Sequence, residues 1–309
     1  MGPHQYSDHA GMRDGRSMSG ARLWAEAEAQ REFEHLNGTP NKLGAELMLV
    51  DTVAASIDHH VPFGTKVIEL GPGTLRSFRK KTIPLLRALQ TRSCIIVDKS
   101  AAFLKDIKVS EQALGLEITP LDDDFFIGDH SFQQDETPAL VCAFGGVISN
   151  LVAPISLLEP MELLSGTLKN FANAIHRGWL LVAFDSTDDS KDVSAYYAKH
   201  ALFQLNIFDR MAVELPITGD FDPRAFAYVA KWLPESRQLA HLAILQRDLN
   251  FAIGQQSFAL KQGQNFHLKN SFKFSEAFFE QCVQRAGLSV IKRWICADSR
   301  FYLLGKNIS

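Results

Sequence analysis

The sequence predicts an α/β protein: a doubly wound, mostly parallel sheet interrupted by a smaller α+β insertion. Five short apolar runs alternate with helical stretches between residues 66 and 185, the rhythm of parallel strands joined by crossover helices. That rhythm stops after Asp185 and resumes only near Ser275, which leaves an insertion of roughly 80 residues. A chain of 309 residues, 46% hydrophobic and 22% charged, can bury the core such a sheet needs.

Each element has its own warrant. Residues 1–20 read as a polar, flexible tail. From Ala21 to about Ile57 the spacing of Leu23, Ala27, Leu47, Val50 and Val53 is helical, and Asn37-Gly38-Thr39-Pro40 divides the stretch into two helices. Lys66–Leu70 is the first strand, and it runs into Gly71-Pro72-Gly73-Thr74. A helix carrying Leu85, Leu86 and Leu89 leads to the second strand, Cys94–Asp98, and another covers Ala101 to Leu114. The third strand, Leu116–Leu121, opens into Asp122-Asp123-Asp124-Phe125-Phe126. The fourth, Ala139–Phe144, ends at Gly145-Gly146, and a helix over Leu157–Ala174 precedes the fifth, Trp179–Phe184. Residues 190–230 are expected to be helical, with Tyr196, Tyr197, Phe203, Leu205, Ile207 and Phe208 among them. Residues 238–272 alternate as antiparallel strands do, with Leu239, His241, Ala243 and Leu245 on one face. A helix over Glu276–Ala286 and a hairpin of Val290–Trp294 with Phe301–Leu304 close the chain. The expected partition is a tail at 1–20, a sheet domain at 21–190 and 275–309, and an inserted substrate-binding domain at 191–274.

Several function classes lose support at once. A net charge of -3 offers no electrostatic footprint for nucleic acid or an anionic membrane. No apolar run approaches the roughly 20 residues that span a bilayer. The cysteines, Cys94, Cys142, Cys282 and Cys296, are scattered without a C-x-x-C pair, which suits reduced core thiols. No histidine spacing of the metal-ligand type occurs, so no metal site is expected. The expectation is a cytoplasmic protein, by default a monomer, acting on a small molecule.

The candidate site lies at the carboxyl ends of the strands, where open α/β sheets bind ligands. Gly71 and Gly73 allow a tight turn and close backbone approach, and the helix after Thr74 aims its N-terminus inward. Asp98, ending the second strand, can accept both hydroxyls of a ribose. Asp124 and Phe125, after the third, suit an adenine amino group and ring face. Gly145 and Gly146, after the fourth, leave the cleft open. Singly, each has a blander reading, since an Asp at a strand end is usually a helix cap. Together they point to a nucleoside cofactor. The third glycine of a dinucleotide fingerprint is missing, no phosphate-binding loop of the G-x-x-x-x-G-K-[ST] type occurs, and Glu69 suits a cationic amino group. S-adenosylmethionine carries such a group.

The chain also resembles the histidine-specific S-adenosylmethionine-dependent methyltransferase family, which includes histidine Nα-methyltransferases and dimethylallyltryptophan N-methyltransferases. The resemblance rests on Leu43-Gly44-Ala45-Glu46, Glu69–Thr74, Lys81-Thr82 before Leu85-Leu86, Val97–Ser100, Phe144–Asn150, Phe203–Phe208, Asp220–Pro223 with Phe226, and Ser271–Phe274. It covers about residue 40 to the C-terminus. It implies a Rossmann-like methyltransferase sheet with an inserted α+β substrate-binding domain. It also implies that Gly71, Lys81, Asp98, Asp124, Phe125 and Gly145 hold S-adenosylmethionine, released as S-adenosylhomocysteine. Asn150 matches the residue that grips the substrate's α-amino and carboxylate groups, and is the candidate for orienting the amine. Tyr196 or Tyr197 matches an inserted-domain tyrosine that binds the carboxylate.

The departures bear on the substrate. Members that methylate histidine read the imidazole with a Glu-x-Ser pair, whereas here the stretch is Lys269-Asn270-Ser271. Lysine cannot accept an imidazole N–H, so histidine is not the expected substrate. Pro40 and Asn41 stand near the place of another substrate tyrosine. Facing inward, Lys269 would favour a carboxylate or carbonyl on the substrate; facing outward, it would leave an apolar, Phe-rich pocket. The leading expectation is an N-methyltransferase acting on the α-amino group of an amino-acid-like molecule. Other S-adenosylmethionine chemistry stays open: methylation at another atom, aminocarboxypropyl transfer or ring closure. So does a non-catalytic binding relative.

Overall fold

The computed structural model describes residues 42–123, 125–126, 137–150, 159–173, 178–187 and 190–306. The expected tail, the helix carrying Leu23 and Ala27, the Asn37–Pro40 turn and Asp124 lie outside these residues.

The first described helix is α1, Lys42–Ala54. Strand β1 (Lys66–Leu70) leads through the glycine turn to α2 (Leu75–Ala88), whose first turn is capped by the Thr74 hydroxyl accepting from the Ser77 N–H. β2 (Ser93–Asp98) leads to α3 (Ala101–Gln112), capped in the same way by Ser100. β3 (Glu117–Asp122), β4 (Ala139–Ala143), α4 (Pro160–Asn173) and β5 (Gly178–Asp185) complete the crossover series.

Two helices follow, α5 (Ser190–Ala198) and α6 (Ala201–Glu214), and then the expected helical reading of 190–230 fails. Leu215 is extended, as the residue before Pro216 must tend to be. The chain then forms β6 (Ile217–Gly219) and β7 (Phe226–Leu233). Tyr228, Val229 and Trp232 in β7 are residue types that favour strand. β8 (Gln238–Leu245), β9 (Leu249–Ile253), β10 (Gln256–Leu260) and β11 (Asn265–Phe272) finish this stretch. Helix α7 (Glu276–Arg285), capped by Ser275, and the hairpin β12 (Leu288–Cys296) and β13 (Ser299–Lys306) end the chain.

The main sheet has seven strands in the order β12-β13-β5-β4-β1-β2-β3. Its five crossover strands are parallel, and β13 runs antiparallel between β5 and β12. One side of the sheet presents Val67, Cys94, Ile96, Leu140, Cys142, Leu181 and Phe301 to Val50, Val53, Phe78, Leu86 and Leu104 of the helices. β4 is buried at every position, as a central strand covered on both sides must be.

Among the described residues, 190–272 form one compact unit and the remainder a second. The smaller unit holds two three-stranded antiparallel sheets, β10-β9-β6 and β11-β8-β7. Its core joins Phe203, Ile207, Phe208 and Met211 of α6 to Phe226, Ala243, Leu245, Phe251 and Phe266. Phe208 and Phe226 stack with centroids 3.8 Å apart. In the larger unit an ion pair joins the two points at which the chain leaves and returns: Lys273 Nζ donates to Asp185 Oδ2 at 2.7 Å, with the lysine buried. Among the described residues no helix is long and apolar enough to cross a membrane.

Candidate active site

β1 and β4 are neighbours at the centre of the sheet, and the chain continues from them in opposite directions, to β2 and to β5. Such a switch point opens a crevice at the strand carboxyl ends. Gly71 extends the ladder there, its N–H donating to Val97 O at 2.8 Å, and then turns with φ +65°. A Cβ on Gly71 would lie 3.0 Å from Val147 Cγ2 and 3.5 Å from the Phe125 ring, so only glycine keeps this passage clear. Phe125 packs on Phe126 at 4.6 Å and on Phe171 at 6.3 Å between centroids.

Opposite Gly71, Gly145 also turns with positive φ, and its N–H donates to Glu46 Oε1 of α1 at 2.7 Å. Lys81 of α2 is buried here, its Nζ 3.5 Å from where a Gly145 Cβ would stand. Asn150 N–H donates to Gly146 O at 2.7 Å, and the Asn150 carboxamide lies close to Gly146 Cα. Any Cβ on Gly146 would overlap Asn150 Nδ2. Gly146 therefore sets where Asn150 points. Residue spacing in the sequence marks neither this contact nor a site role for Glu46, although Glu46 closes the Leu43-Gly44-Ala45-Glu46 run.

The carboxylates carry the electrostatic signal. Glu69 is fully buried; the Thr82 hydroxyl donates to its Oε2, while Oε1 meets no hydrogen-bond donor among the described residues. Burial pushes the Glu69 carboxyl up to about 7, with nearby Asp98 and Glu46 adding to the rise and Lys81 and Thr82 opposing it. Burial likewise raises Asp98 to about 6, against the pull of the Ser100, Gly73 and Lys99 backbone N–H groups. The Ser100 N–H donates to Asp98 Oδ1 at 2.8 Å. Asp98 thus ties the glycine turn to the end of β2. Thr74 spends its hydroxyl on the helix cap.

A second cluster lies wholly within residues 190–272. Lys269 is buried rather than turned to solvent, with Nζ 5.4 Å from the centroid of the Phe203 ring. In register, Lys269 stands opposite His241 on the neighbouring strand. His241 is fully buried; its Nε2 lies 2.9 Å from Ser271 Oγ and its Nδ1 lies 2.7 Å from the Tyr228 hydroxyl. The Tyr197 ring meets His241 edge-on at 4.8 Å, whereas Tyr196 packs on His200 and on Tyr197. Of the two candidate tyrosines, Tyr197 is the one that joins Ser271 through His241. His241 and Tyr228 were not expected here. A lone histidine on an apolar strand face reads as core, and Tyr228 fell in the stretch expected to be helical.

Comparison with known proteins identifies the family. A family described as histidine-specific methyltransferase, SAM-dependent, matches residues 19–305. The uncharacterized protein y4iF of Sinorhizobium fredii is 41% identical over 285 residues, covering 87% of this chain and 93% of its own. The N-methyltransferase fsqC of Aspergillus fumigatus is 25% identical over 124 residues, covering 40% of this chain and 34% of its own. Among solved structures, an S-adenosylmethionine-dependent methyltransferase from Clostridium acetobutylicum superposes with a TM-score of 0.48 at 11% identity, over 90% of this chain and 98% of that one. A match that spans nearly the whole sequence, over a sheet whose switch point gathers Glu69, Gly71, Asp98 and Gly145, places this chain in the histidine-specific, S-adenosylmethionine-dependent methyltransferase family.

Proposed function

We propose that this methyltransferase acts on the α-amino group of an amino-acid-like small molecule other than histidine. The observation that carries the reading is Asn150, held against Gly146 at the end of β4, beside the crevice. A second support is the partial likeness to a fungal N-methyltransferase.

The strand ends fit S-adenosylmethionine. Glu69 Oε1 is a buried carboxylate oxygen with no donor among the described residues, which suits the cofactor's ammonium group. Gly71 leaves a space that a single Cβ would fill. We assign Gly71, Gly73, Thr74 and Gly145 to the backbone cradle, with Thr74 acting through the helix it caps. Asp98 takes the ribose hydroxyls, and Phe125 with Asp124 takes the adenine. Lys81 balances the buried carboxylates.

When bound, S-adenosylmethionine supplies an electrophilic methyl group on a sulfonium. The protein's task is to hold a neutral amine in line with it, at about 3–3.5 Å. Asn150 Oδ1 accepts an N–H of that amine and turns the lone pair away from itself. The proton lost by the amine passes to a backbone carbonyl or to water. We assign Tyr197, Lys269 and Ser271, with Tyr196, to substrate recognition. No covalent protein nucleophile is required.

The test is incubation with S-adenosylmethionine and a panel of amino acids, with fragmentation mass spectrometry to locate any added methyl group. Transfer to the α-nitrogen is expected, and Asn150→Ala should lower the rate by about a hundredfold while S-adenosylhomocysteine still binds. Methylation at carbon, oxygen or a side-chain nitrogen would overturn the reading.

A further inference from the structure

Position 46 belongs to the core-facing stripe of α1, and its residue type breaks that stripe. Leu49, Val50 and Val53 are buried there at helical spacing, and Glu46 lies one turn earlier on the same side, itself buried. Its Oε1 accepts the Gly145 N–H at 2.7 Å, and among the described residues its carboxylate has no other hydrogen-bond partner. A buried carboxylate that makes one hydrogen bond costs stability compared with an apolar residue in the same place. What the contact gives is geometry. β4 ends at Ala143, and the chain turns two residues later at Gly145, with φ +63°. Lys81 Nζ stands 3.5 Å from where a Gly145 Cβ would be, and the next residue, Gly146, meets the Asn150 carboxamide. With its N–H committed to Glu46, Gly145 presents a bare Cα rather than a donor.

From this contact we infer that Glu46 is a positioning residue for the cofactor crevice: it carries the rigidity of α1 to the turn after β4 and holds Gly145, and through it Gly146, in place. The inference rests on the assignment of Gly145 to the S-adenosylmethionine cradle proposed above. α1 also packs against α2, which carries Lys81, so one helix serves as the framework for both sides of the turn. Glu46 needs no contact with cofactor or substrate to act in this way. Its hydrogen bond does the positioning, and its charge has a separate effect, raising the Glu69 carboxyl.

Two uncharged replacements separate the hydrogen bond from the charge. Glu46→Gln keeps an oxygen that can accept the Gly145 N–H, and Glu46→Leu continues the apolar stripe without an acceptor. S-adenosylhomocysteine is titrated by calorimetry at pH 8, above the Glu69 value, so that carboxyl stays ionised in every variant. Glu46→Leu should bind at least about tenfold more weakly than Glu46→Gln, which should stay within about threefold of wild type. In nitrogen-15 spectra of glycine-labelled protein, the Gly145 amide should exchange with solvent at least about tenfold faster in Glu46→Leu than in wild type or Glu46→Gln. The melting temperature of Glu46→Leu should be level with wild type or above it, since a buried charge has gone. Equal affinity of the two variants, whether weak or like wild type, or an unchanged Gly145 amide would each overturn the inference. So would a Glu46→Leu protein that melts well below wild type, which would make Glu46 a prop of the fold instead. A wild type that fails to bind S-adenosylhomocysteine would bring down the site assignment beneath it.

Discussion

The larger unit and the 190–272 unit build their polar clusters by opposite routes. In the larger unit the chemistry sits at the ends of successive parallel strands, so each residue is announced by the apolar run before it. Glu69 belongs to β1, Asp98 ends β2, and Gly145 follows β4. The backbone topology gathers them, and the side chains need only be of the right type. In the smaller unit the cluster is assembled across a sheet face, from Tyr197 on α5, Tyr228 on β7, His241 on β8 and Ser271 on β11. Nothing local marks these residues, because their meeting depends on strand register. The first kind of construction is proposed to hold the cofactor, which many proteins share. The part that meets a particular substrate is proposed to be of the second kind, where one register change rewrites the chemistry.

The contrast can be broken in three places. The largest effect is expected at Asp98→Ala, which removes the proposed acceptor for two ribose hydroxyls and should weaken S-adenosylhomocysteine binding by roughly a hundredfold to a thousandfold. Unchanged affinity in titration calorimetry would mean that the strand ends are not the cofactor site. Next comes Gly146→Ala, whose new Cβ must displace the Asn150 carboxamide. Methyl transfer should fall by about a hundredfold with S-adenosylhomocysteine affinity little changed, since a shift of about 1 Å in a positioning group costs that much. A rate near wild type would separate Asn150 from the reaction.

The smallest effect is one of pH. Glu69, at about 7 in the free protein, is partly protonated near neutrality. An ammonium group beside it favours the carboxylate, so binding releases a proton below that value and not above it. S-adenosylhomocysteine affinity should be level near pH 8 and weaken by up to about tenfold per unit as pH falls below 7. Glu69→Gln should flatten the profile; a wild-type profile already flat would place the ammonium elsewhere.

Much of the sheet was legible in the sequence. The strands around Val67, Ile96, Val141 and Val182 are short apolar runs bounded by turn residues, and Thr74, Ser100 and Ser275 announce the helices they cap. Three features were not. The helical reading beyond Glu214 missed how strongly Pro216 interrupts it. β11 is buried from Phe266 to Phe272 on both faces, so it lacks the alternation that would orient Lys269, and a register shift between His267 and Lys269 adds to the difficulty. The role of Gly146 is a contact four residues away, with Asn150, and has no signature in residue type alone.

The pairing of β13 with β5 has a consequence for how this chain matures. Phe184 of β5 finds its partner only at Arg300, after the whole 190–272 stretch has been made. On the ribosome, the β5 edge waits through that interval with its backbone N–H and C=O groups unpaired and Leu181, Val182 and Ala183 bare on either side. Such an edge is a template for other strands. The nascent chain therefore passes through a sticky stage, when prompt folding of the middle segment or shelter by a chaperone governs yield. Truncations that remove the last hairpin will leave that stage permanent and drive the protein into aggregates.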